Sequence, residues 1–239
     1  MHHLGQTRSV YRPDHILQTP DAFVRAPLPG MQKATAIVHA SPAMGAQFTQ
    51  YTAEFEPGGL LAPAVAERFI YVLDGEVEVN GAVLAHDDFV YLPPCHAAPV
   101  CSKGGGHAAI IEKPYRALPG VSAPSCFSGR ERQVTPLALM GDDALEVHVL
   151  LPDDPSFDFA VNTMTYLPGA SLPNVEIHVM EHGLIMLAGG GIYRLGDHWY
   201  PVKKGDFIWM APFCPQWFGA LGKTPAKYLI YKDWNRGPQ

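Results

Sequence analysis

The sequence has few cysteines and no long apolar run. Its four cysteines form no CxxC pair and are too few to build a disulfide scaffold in a chain of 239 residues. Free thiols in a reducing compartment are therefore expected. No apolar run is long enough to span a bilayer, and the N-terminal stretch lacks the apolar segment of a signal peptide. These absences predict a cytoplasmic protein with no membrane partner.

Basic clusters are lacking as well. The formal net charge is −6, and no run of Lys and Arg exceeds the pair Lys203–Lys204. Nucleic acids and acidic membranes attract proteins that carry basic patches. The sequence therefore disfavours both as partners. It does not decide the charge of a small substrate, because one buried lysine can outweigh the overall balance locally.

Sustained helical patterns are scarce, and residues 13–19 are the one stretch that could hold a short helix. The 23 glycines and 23 prolines show no repeat period, which fits short strands joined by turns. A β-type run at 76–79 is followed by Asn80-Gly81, a typical hairpin tip. We predict an all-β chain.

The sequence contains two copies of one β-rich unit. ERFIYVLDG (67–75) aligns with EHGLIMLAG (181–189), and DDFVYLPP (87–94) aligns with GDFIWMAP (205–212). Repetition of both blocks in the same order indicates two domains of one fold. In residues 114–128, turn-forming residues replace the alternation of apolar and polar residues that is typical of strands. We therefore predict domains at 1–120 and 121–239.

The stretch VEIHVMEHG (175–183) brings together residues that can bind a metal. Glu176 and His178 lie two apart, so on one strand they face the same side, and His182 has the same parity. One carboxylate and two imidazoles suit manganese, iron, nickel or zinc. Histidines in strands are also common as hydrogen-bonded structural residues. The pattern alone leaves both interpretations open.

The spacing of this region resembles the two-part signature of the cupin superfamily. It reads Glu176-x-His178-x3-His182-x6-Gly189, then Gly205-x5-Ala211-Pro212-x3-Gln216. Cupins place three histidines and one glutamate at the corresponding positions as metal ligands inside a small double-stranded β-barrel (jelly roll). Here the spacing is kept and the residues differ, but each replacement still offers oxygen or nitrogen. The resemblance implies an all-β bicupin, with two tandem barrels.

The first copy lacks this set. The positions that match Glu176, His178, His182 and Gln216 are occupied by Ala62, Ala64, Arg68 and Ala98. None of these is a plausible metal ligand. We predict a metal-free, structural first cupin and a catalytic second one.

This combination resembles one family in particular, the (S)-ureidoglycine aminohydrolases of purine and allantoin breakdown. The resemblance covers nearly the whole chain. It is carried by TRSVYRPDH (7–15), SPAMGAQF (41–48), AERFIYVLDG (66–75), YLPP (91–94) and the segment HGLIMLAGGGIYRLGDHWYPVKKGDFIWMAPFCPQWFGALGKTPAKYLIYKDWNR (182–236).

The resemblance implies a manganese enzyme, although another divalent ion would also suit the ligands. Its reaction replaces the amino group of (S)-ureidoglycine by hydroxyl and yields (S)-ureidoglycolate and ammonia. The implied metal ligands are Glu176, His178, His182 and Gln216, and the implied substrate-binding residues are Tyr228 and Lys232. Tyr193, on the next strand, either lines the cavity or packs in the core.

Each implied role has a physical reason. Lys232 in an apolar barrel can attract the substrate carboxylate. Tyr228 can hydrogen-bond the ureido or carboxylate group. Glu176 can move protons between water and the departing amine. Elimination of ammonia to an imine followed by addition of water, and direct displacement, are both compatible with these residues.

Two other functions fit a bicupin. One is an iron-dependent cupin oxygenase acting on a small acid, which Gln216 disfavours. The other is a non-catalytic ligand-binding or storage bicupin, which a complete donor set disfavours. Metal analysis with an ammonia-release assay distinguishes the three. Because bicupins commonly assemble through barrel edges, we also expect a homo-oligomer.

Overall fold

The computed structural model describes residues 5–236, and strands dominate this part of the chain. Within it the helical elements are three short 3₁₀ turns at Pro20–Ala22, Pro42–Met44 and Glu131–Gln133. The all-β prediction is confirmed. None of the helices described is long and apolar enough to cross a membrane.

Nineteen strands are found between residues 5 and 236. In chain order they are β1 Val10–Tyr11, β2 His15–Gln18, β3 Met31–Ala40, β4 Thr49–Leu61, β5 Glu67–Val79, β6 Ala82–Ala85, β7 Asp88–Leu92, β8 Val100–Ser102, β9 Gly106–Lys113, β10 Phe127–Arg130, β11 Leu137–Leu139, β12 Asp142–Val149, β13 Ala160–Tyr166, β14 His182–Ala188, β15 Gly190–Leu195, β16 His198–Lys203, β17 Phe207–Met210, β18 Gln216–Ala220 and β19 Ala226–Lys232.

The strands form two compact units. The N-terminal unit comprises residues 24–135 and 150–158, and the C-terminal unit comprises residues 5–23, 136–149 and 159–236. These units differ from the predicted ranges 1–120 and 121–239. The reason is strand pairing over long sequence distances, because β2 pairs with β17 and β10 pairs with β7. The same pairing makes residues 15–18 a strand, so the short helix expected there is wrong.

The C-terminal unit contains two antiparallel sheets. One has the strand order β1-β2-β17-β14-β19-β13-β12-β11, and the other has the order β16-β15-β18. Alternate residues of these strands form one buried apolar cluster, in which Met164, Leu184, Ile208, Phe218 and Ile230 take part. Period-two alternation thus separates an interior face from an exterior face.

The N-terminal unit is built around β3 to β10 and has its own apolar cluster. Its β5–β6 hairpin turns at Asn80-Gly81, as predicted, with Val79 opposite Ala82. Asn80 and Gly81 have φ of 52° and 77°. Two successive positive φ values match the right-handed twist of a hairpin, and asparagine and glycine tolerate them best.

Candidate metal and active site

His182 is held by β14, whose following residues are buried and apolar. Its exposed fraction is 2%, and its Cα partners are Met210 on β17 and Lys232 on β19. Leu184 and Met186 continue the same face into the apolar cluster. The alternation of β14 therefore turns the imidazole of His182 toward the interior of the C-terminal unit.

Glu176 and Gln216 lie opposite each other in an isolated antiparallel bridge. The Glu176 N–H donates to the Gln216 carbonyl at 2.8 Å, and the Gln216 N–H donates to the Glu176 carbonyl at 2.9 Å. The backbone then leaves strand geometry, and the His178 carbonyl accepts from the Phe213 N–H at 2.6 Å. The expectation that Glu176 and His178 share one strand is therefore wrong, because the bridge ends after a single pair.

The side chains of Glu176, His178 and His182 nevertheless come together. The distance from Glu176 Oε2 to His178 Nε2 is 3.1 Å, and the His178 and His182 ring centroids are 5.2 Å apart. This brings one carboxylate and two imidazoles to one place. Such a set could hold a divalent cation.

His182 is buried without a hydrogen-bond partner for its ring. Neither ring nitrogen has a partner with hydrogen-bond geometry among residues 5–236, and the nearby Tyr231 backbone only partly offsets the lowering of its pKa. Burial lowers the pKa of His182 to about 3, and the charges of Lys232 and His178 act in the same direction. The imidazole is therefore neutral near neutral pH, which is the protonation state that binds metals.

Two hydrogen-bonded pairs that contain tyrosines are formed by residues of the proposed site and Tyr166. The Tyr193 hydroxyl donates to Gln216 Oε1 at 3.1 Å, so Gln216 is tied to β15 through its side chain as well as its register. The hydroxyls of Tyr166 and Tyr228 are 2.8 Å apart. Burial raises the pKa of both Tyr193 and Tyr228 well above the usual value, so both hydroxyls keep their protons.

Lys232 lies at the end of β19, opposite His182. Burial lowers the pKa of its ammonium group, and the negative charge of Glu176 opposes that shift. Tyr228 and Ile230 belong to the interior cluster, whereas Leu229 and Tyr231 do not. Residues of β19 therefore alternate between the interior and the exterior face.

Comparisons with known proteins agree with this architecture. The model of the cupin domain family matches residues 162–231. A rice protein (Oryza sativa subsp. japonica) named probable (S)-ureidoglycine aminohydrolase is 42% identical over 241 residues, which cover 98% of this chain and 77% of that protein. The (S)-ureidoglycine aminohydrolase of Arabidopsis thaliana is 40% identical over 242 residues, which cover 98% and 80%.

The chain belongs to the (S)-ureidoglycine aminohydrolase family. A solved structure supports the same fold along the whole chain. The putative glyoxylate induced protein of Pseudomonas aeruginosa matches with a TM-score of 0.88 and 30% identity, covering 100% of this chain and 95% of that one. The bicupin prediction is confirmed.

In this member of the (S)-ureidoglycine aminohydrolase family, the N-terminal unit has an ion pair where the C-terminal unit has histidine. Arg68 Nε donates to Glu112 Oε1 at 2.8 Å, and the Tyr51 hydroxyl donates to the same oxygen at 2.8 Å. A second Arg68 nitrogen donates to the Ala62 carbonyl at 3.0 Å. A guanidinium that is already engaged by these acceptors offers no ligand to a cation.

A second group of metal-binding residue types was missed by the sequence reasoning. Potential ligand atoms of Asp14, His15 and Cys214 all lie within 4.8 Å of one another. His15 Nδ1 is 3.0 Å from Asp14 Oδ1, and its Nε2 is 2.9 Å from the Tyr200 hydroxyl. Burial raises the pKa of the Cys214 thiol to about 11. No local motif signals this group, because Cys214 is distant in sequence from the other two.

Tyr166 was missed for a related reason. It lies on β13, and its contact with Tyr228 depends on the pairing of β13 with β19. A single tyrosine in a β-rich run has no distinguishing signal. Its parity with Met164 would have placed it on the interior face once β13 was known to border β19.

Proposed function

We propose that this protein is a manganese-dependent (S)-ureidoglycine aminohydrolase. The reaction consumes (S)-ureidoglycine and water and yields (S)-ureidoglycolate and ammonia. Membership of the family supports the reaction class. The observation that carries the site assignment is the buried, partnerless imidazole of His182 beside the Glu176–His178 pair.

The residues fit a divalent metal ion. We assign Glu176, His178, His182 and Gln216 as its ligands, a set of two nitrogens and two oxygens. Neutral imidazole, carboxylate and amide oxygen suit manganese and related ions. A bound ion would satisfy a His182 nitrogen that the protein leaves unpaired. When bound, such a metal polarises substrate groups and lowers the pKa of a coordinated water molecule.

Lys232 binds the substrate carboxylate in this proposal. Lys232 is half-buried at the end of β19, where a charge interacts more strongly than in water. Burial alone favours the neutral amine, and the nearby Glu176 carboxylate favours the charged form. A substrate carboxylate adds a second negative charge and strengthens that preference.

Tyr228 and Tyr193 orient the reacting groups. The Tyr228 hydroxyl is paired with that of Tyr166, which limits its direction and leaves it able to donate to the substrate. Tyr193 holds the side chain of Gln216 by donating to its Oε1, and it lines the substrate site next to Gln216. These tyrosines also exclude water, because both are almost fully buried.

Glu176 carries the proton transfer. Its Oε2 lies 3.1 Å from His178 Nε2, within hydrogen-bonding distance of another group of the site. Loss of ammonia requires a proton on the departing nitrogen, and attack of water requires removal of a proton from oxygen. A carboxylate can perform both steps in turn. Glu176 could serve in this way whether ammonia is eliminated before water adds or water displaces the amino group directly.

The test is a coupled assay in which an allantoate-degrading enzyme generates the unstable substrate in place. We expect ammonia release and chiral (S)-ureidoglycolate, with loss of turnover in Glu176→Ala. Racemic product formed no faster than without the protein would contradict the proposal. Oxygen uptake with bound iron would instead indicate a cupin oxygenase.

We also propose that the protein acts in the cytoplasm and as a homo-oligomer. The scarcity of cysteines, which form no CxxC pair, supports the first. Assembly is common among two-barrel cupins, and the sheets end in edge strands such as β11 and β16. Light scattering of the purified protein tests the assembly.

A further inference from the structure

Asn162 is a buried polar residue on β13. It has no role in the metal site or in the substrate contacts described above. Its exposed fraction is 8%, and its Oδ1 atom is buried without a hydrogen-bond partner in the described part of the chain. A buried amide oxygen without a partner is unfavourable by itself. Its retention in an apolar interior points to a ligand that supplies the missing donor.

The register places Asn162 between two residues of the proposed site. Its Cα partner on β19 is Ile230, while Ala160 lies opposite Lys232 and Met164 lies opposite Tyr228. Asn162 is therefore the diagonal neighbour of both Lys232 and Tyr228, at a typical separation of about 7–8 Å. Long side chains on such neighbours reach a common small molecule.

The face of Asn162 follows from its strand. Met164 and Tyr166, at the same parity on β13, belong to the interior cluster of the C-terminal unit, as does Ile230. On the other side of β13 the Cα partner is Val149, which packs against the same cluster. Asn162 thus projects among apolar side chains, and its Oδ1 makes no hydrogen bond with any residue that the structure describes.

We propose that Asn162 recognises the ureido group of the substrate, an inference that rests on the proposed function. A ureido group ends in C(=O)–NH₂, with an acceptor and donors in one plane. A primary amide is complementary to it: Oδ1 accepts from the terminal NH₂, and Nδ2 donates to the ureido carbonyl. Lys232 then binds the carboxylate at the diagonal position, so the two ends of the substrate are fixed from neighbouring strands.

The test uses two small carboxylates that differ at one group. N-carbamoylglycine carries the terminal NH₂, and N-acetylglycine has a methyl group in its place. Binding of each to the manganese-loaded protein is measured by titration calorimetry for the wild type, Asn162→Leu and the control Thr165→Val. Thr165 lies on β13 with the opposite parity and is partly exposed.

We expect the wild type and Thr165→Val to prefer N-carbamoylglycine by about tenfold to a hundredfold, because an unpaired buried amide group is costly. In Asn162→Leu both ligands should bind with equal affinity. A general structural defect would weaken both ligands together and leave the ratio unchanged. The ratio therefore separates recognition from folding.

Two results would overturn the inference in distinguishable ways. If the wild type releases ammonia from ureidoglycine but Asn162→Leu keeps the preference, or the wild type has none, Asn162 does not read the ureido group and the proposed function stands. If the wild type releases no ammonia and binds neither ligand, the proposed function fails and the inference fails with it.

Discussion

Arg68 and His182 occupy equivalent positions in the two units of the chain. Arg68 on β5 lies opposite Leu92 and Glu112, and His182 on β14 lies opposite Met210 and Lys232. A cation therefore faces a carboxylate in the N-terminal unit, whereas a neutral imidazole faces a lysine in the C-terminal unit. In the N-terminal unit the guanidinium is neutralised by Glu112, whereas in the C-terminal unit the imidazole is left without a hydrogen-bond partner among residues 5–236. The same fold thus supplies an ion pair in one copy and, in the other, an imidazole that could bind a metal.

The first prediction concerns that ion pair. Arg68→Met should lower the free energy of unfolding by about 2 kcal/mol, because it leaves the half-buried Glu112 carboxylate with the Tyr51 hydroxyl but without its countercharge. The double variant Arg68→Met/Glu112→Gln should recover at least about 1 kcal/mol of that loss. Urea unfolding of the wild type, both single variants and the double variant measures the coupling.

Manganese content serves as the control for these variants. Because Arg68 offers no ligand to a cation, the amount of metal per chain should not change. Additive effects of the two substitutions would contradict a structural pair, and loss of metal in Arg68→Met would contradict a metal-free N-terminal unit.

The second prediction separates the two groups that could hold a metal. His182→Ala should abolish manganese binding and lower ammonia release by more than about a hundredfold, because even outer-shell partners of a metal contribute tenfold to a hundredfold. Cys214→Ala, a matched substitution of a buried residue in the same unit, should keep metal and activity. Metal analysis after dialysis measures both.

The reverse result would relocate the metal. If Cys214→Ala lost the ion and His182→Ala retained it, the group of Asp14, His15 and Cys214 would be the binding site. Thermal unfolding with and without manganese gives an independent measurement, since a ligand that binds the native state raises its stability.

The relation between sequence and site differs from residue to residue. The family resemblance implied Tyr228 and Lys232, and their shared face was predictable because they lie on one regular strand of period two. Glu176 and His178 meet for another reason: a single bridge to Gln216 and an irregular segment bring them together. Motif spacing predicted that these residues act together, but their geometry depends on long-range backbone pairing that local periodicity does not contain.

Residues outside the motif were not predictable in the same way. Asn162 comes close to the proposed substrate residues because β13 pairs with β19, where Ile230 is its Cα partner. Residues 5–23 join the C-terminal unit because β2 pairs with β17. Such contacts join segments far apart in the chain. The repeat predicted two domains of one fold, but it carried no information on which distant segments complete each one.

The third prediction concerns Glu67, a buried residue of the N-terminal unit outside the proposed site. Its Oε2 accepts from the Tyr91 hydroxyl at 2.7 Å. Burial raises its pKa well above the usual value, and nearby Asp158, which is paired with Lys113 at 2.8 Å, acts in the same direction. Between the unfolded pKa of 4.5 and the higher folded pKa, the native state binds more protons, so stability falls as the pH rises.

Glu67→Gln removes that titration and keeps the acceptor for Tyr91. We expect the variant to gain stability over the wild type progressively above pH 4.5, by up to about 1.4 kcal/mol per pH unit within the window. Urea unfolding at several pH values from 5 to about 8 measures the difference in unfolding free energy between the two proteins. In this range the native and unfolded states differ in the protons they bind at Glu67. Parallel pH profiles for the two proteins would show that Glu67 does not bind this extra proton.

The last prediction concerns the pair of hydroxyls at Tyr166 and Tyr228. Tyr228→Phe should lower kcat/KM by about tenfold to a hundredfold, because it removes a hydrogen bond to the substrate in a buried site. Tyr166→Phe should have a smaller effect, at most about tenfold, since Tyr166 acts by directing the Tyr228 hydroxyl through a neutral hydrogen bond. The coupled assay with separate kcat and KM values measures both.

The double variant decides whether Tyr166 acts through Tyr228. If it does, adding Tyr166→Phe to Tyr228→Phe should cause no further loss, because the hydroxyl that Tyr166 directs is already gone. Multiplied losses would instead mean that Tyr166 contacts the substrate itself. Both rings remain in place in either phenylalanine variant, and their edge contacts with Phe218 need no hydroxyl. A change in kinetics with unchanged thermal stability would therefore trace to the hydroxyls and not to packing.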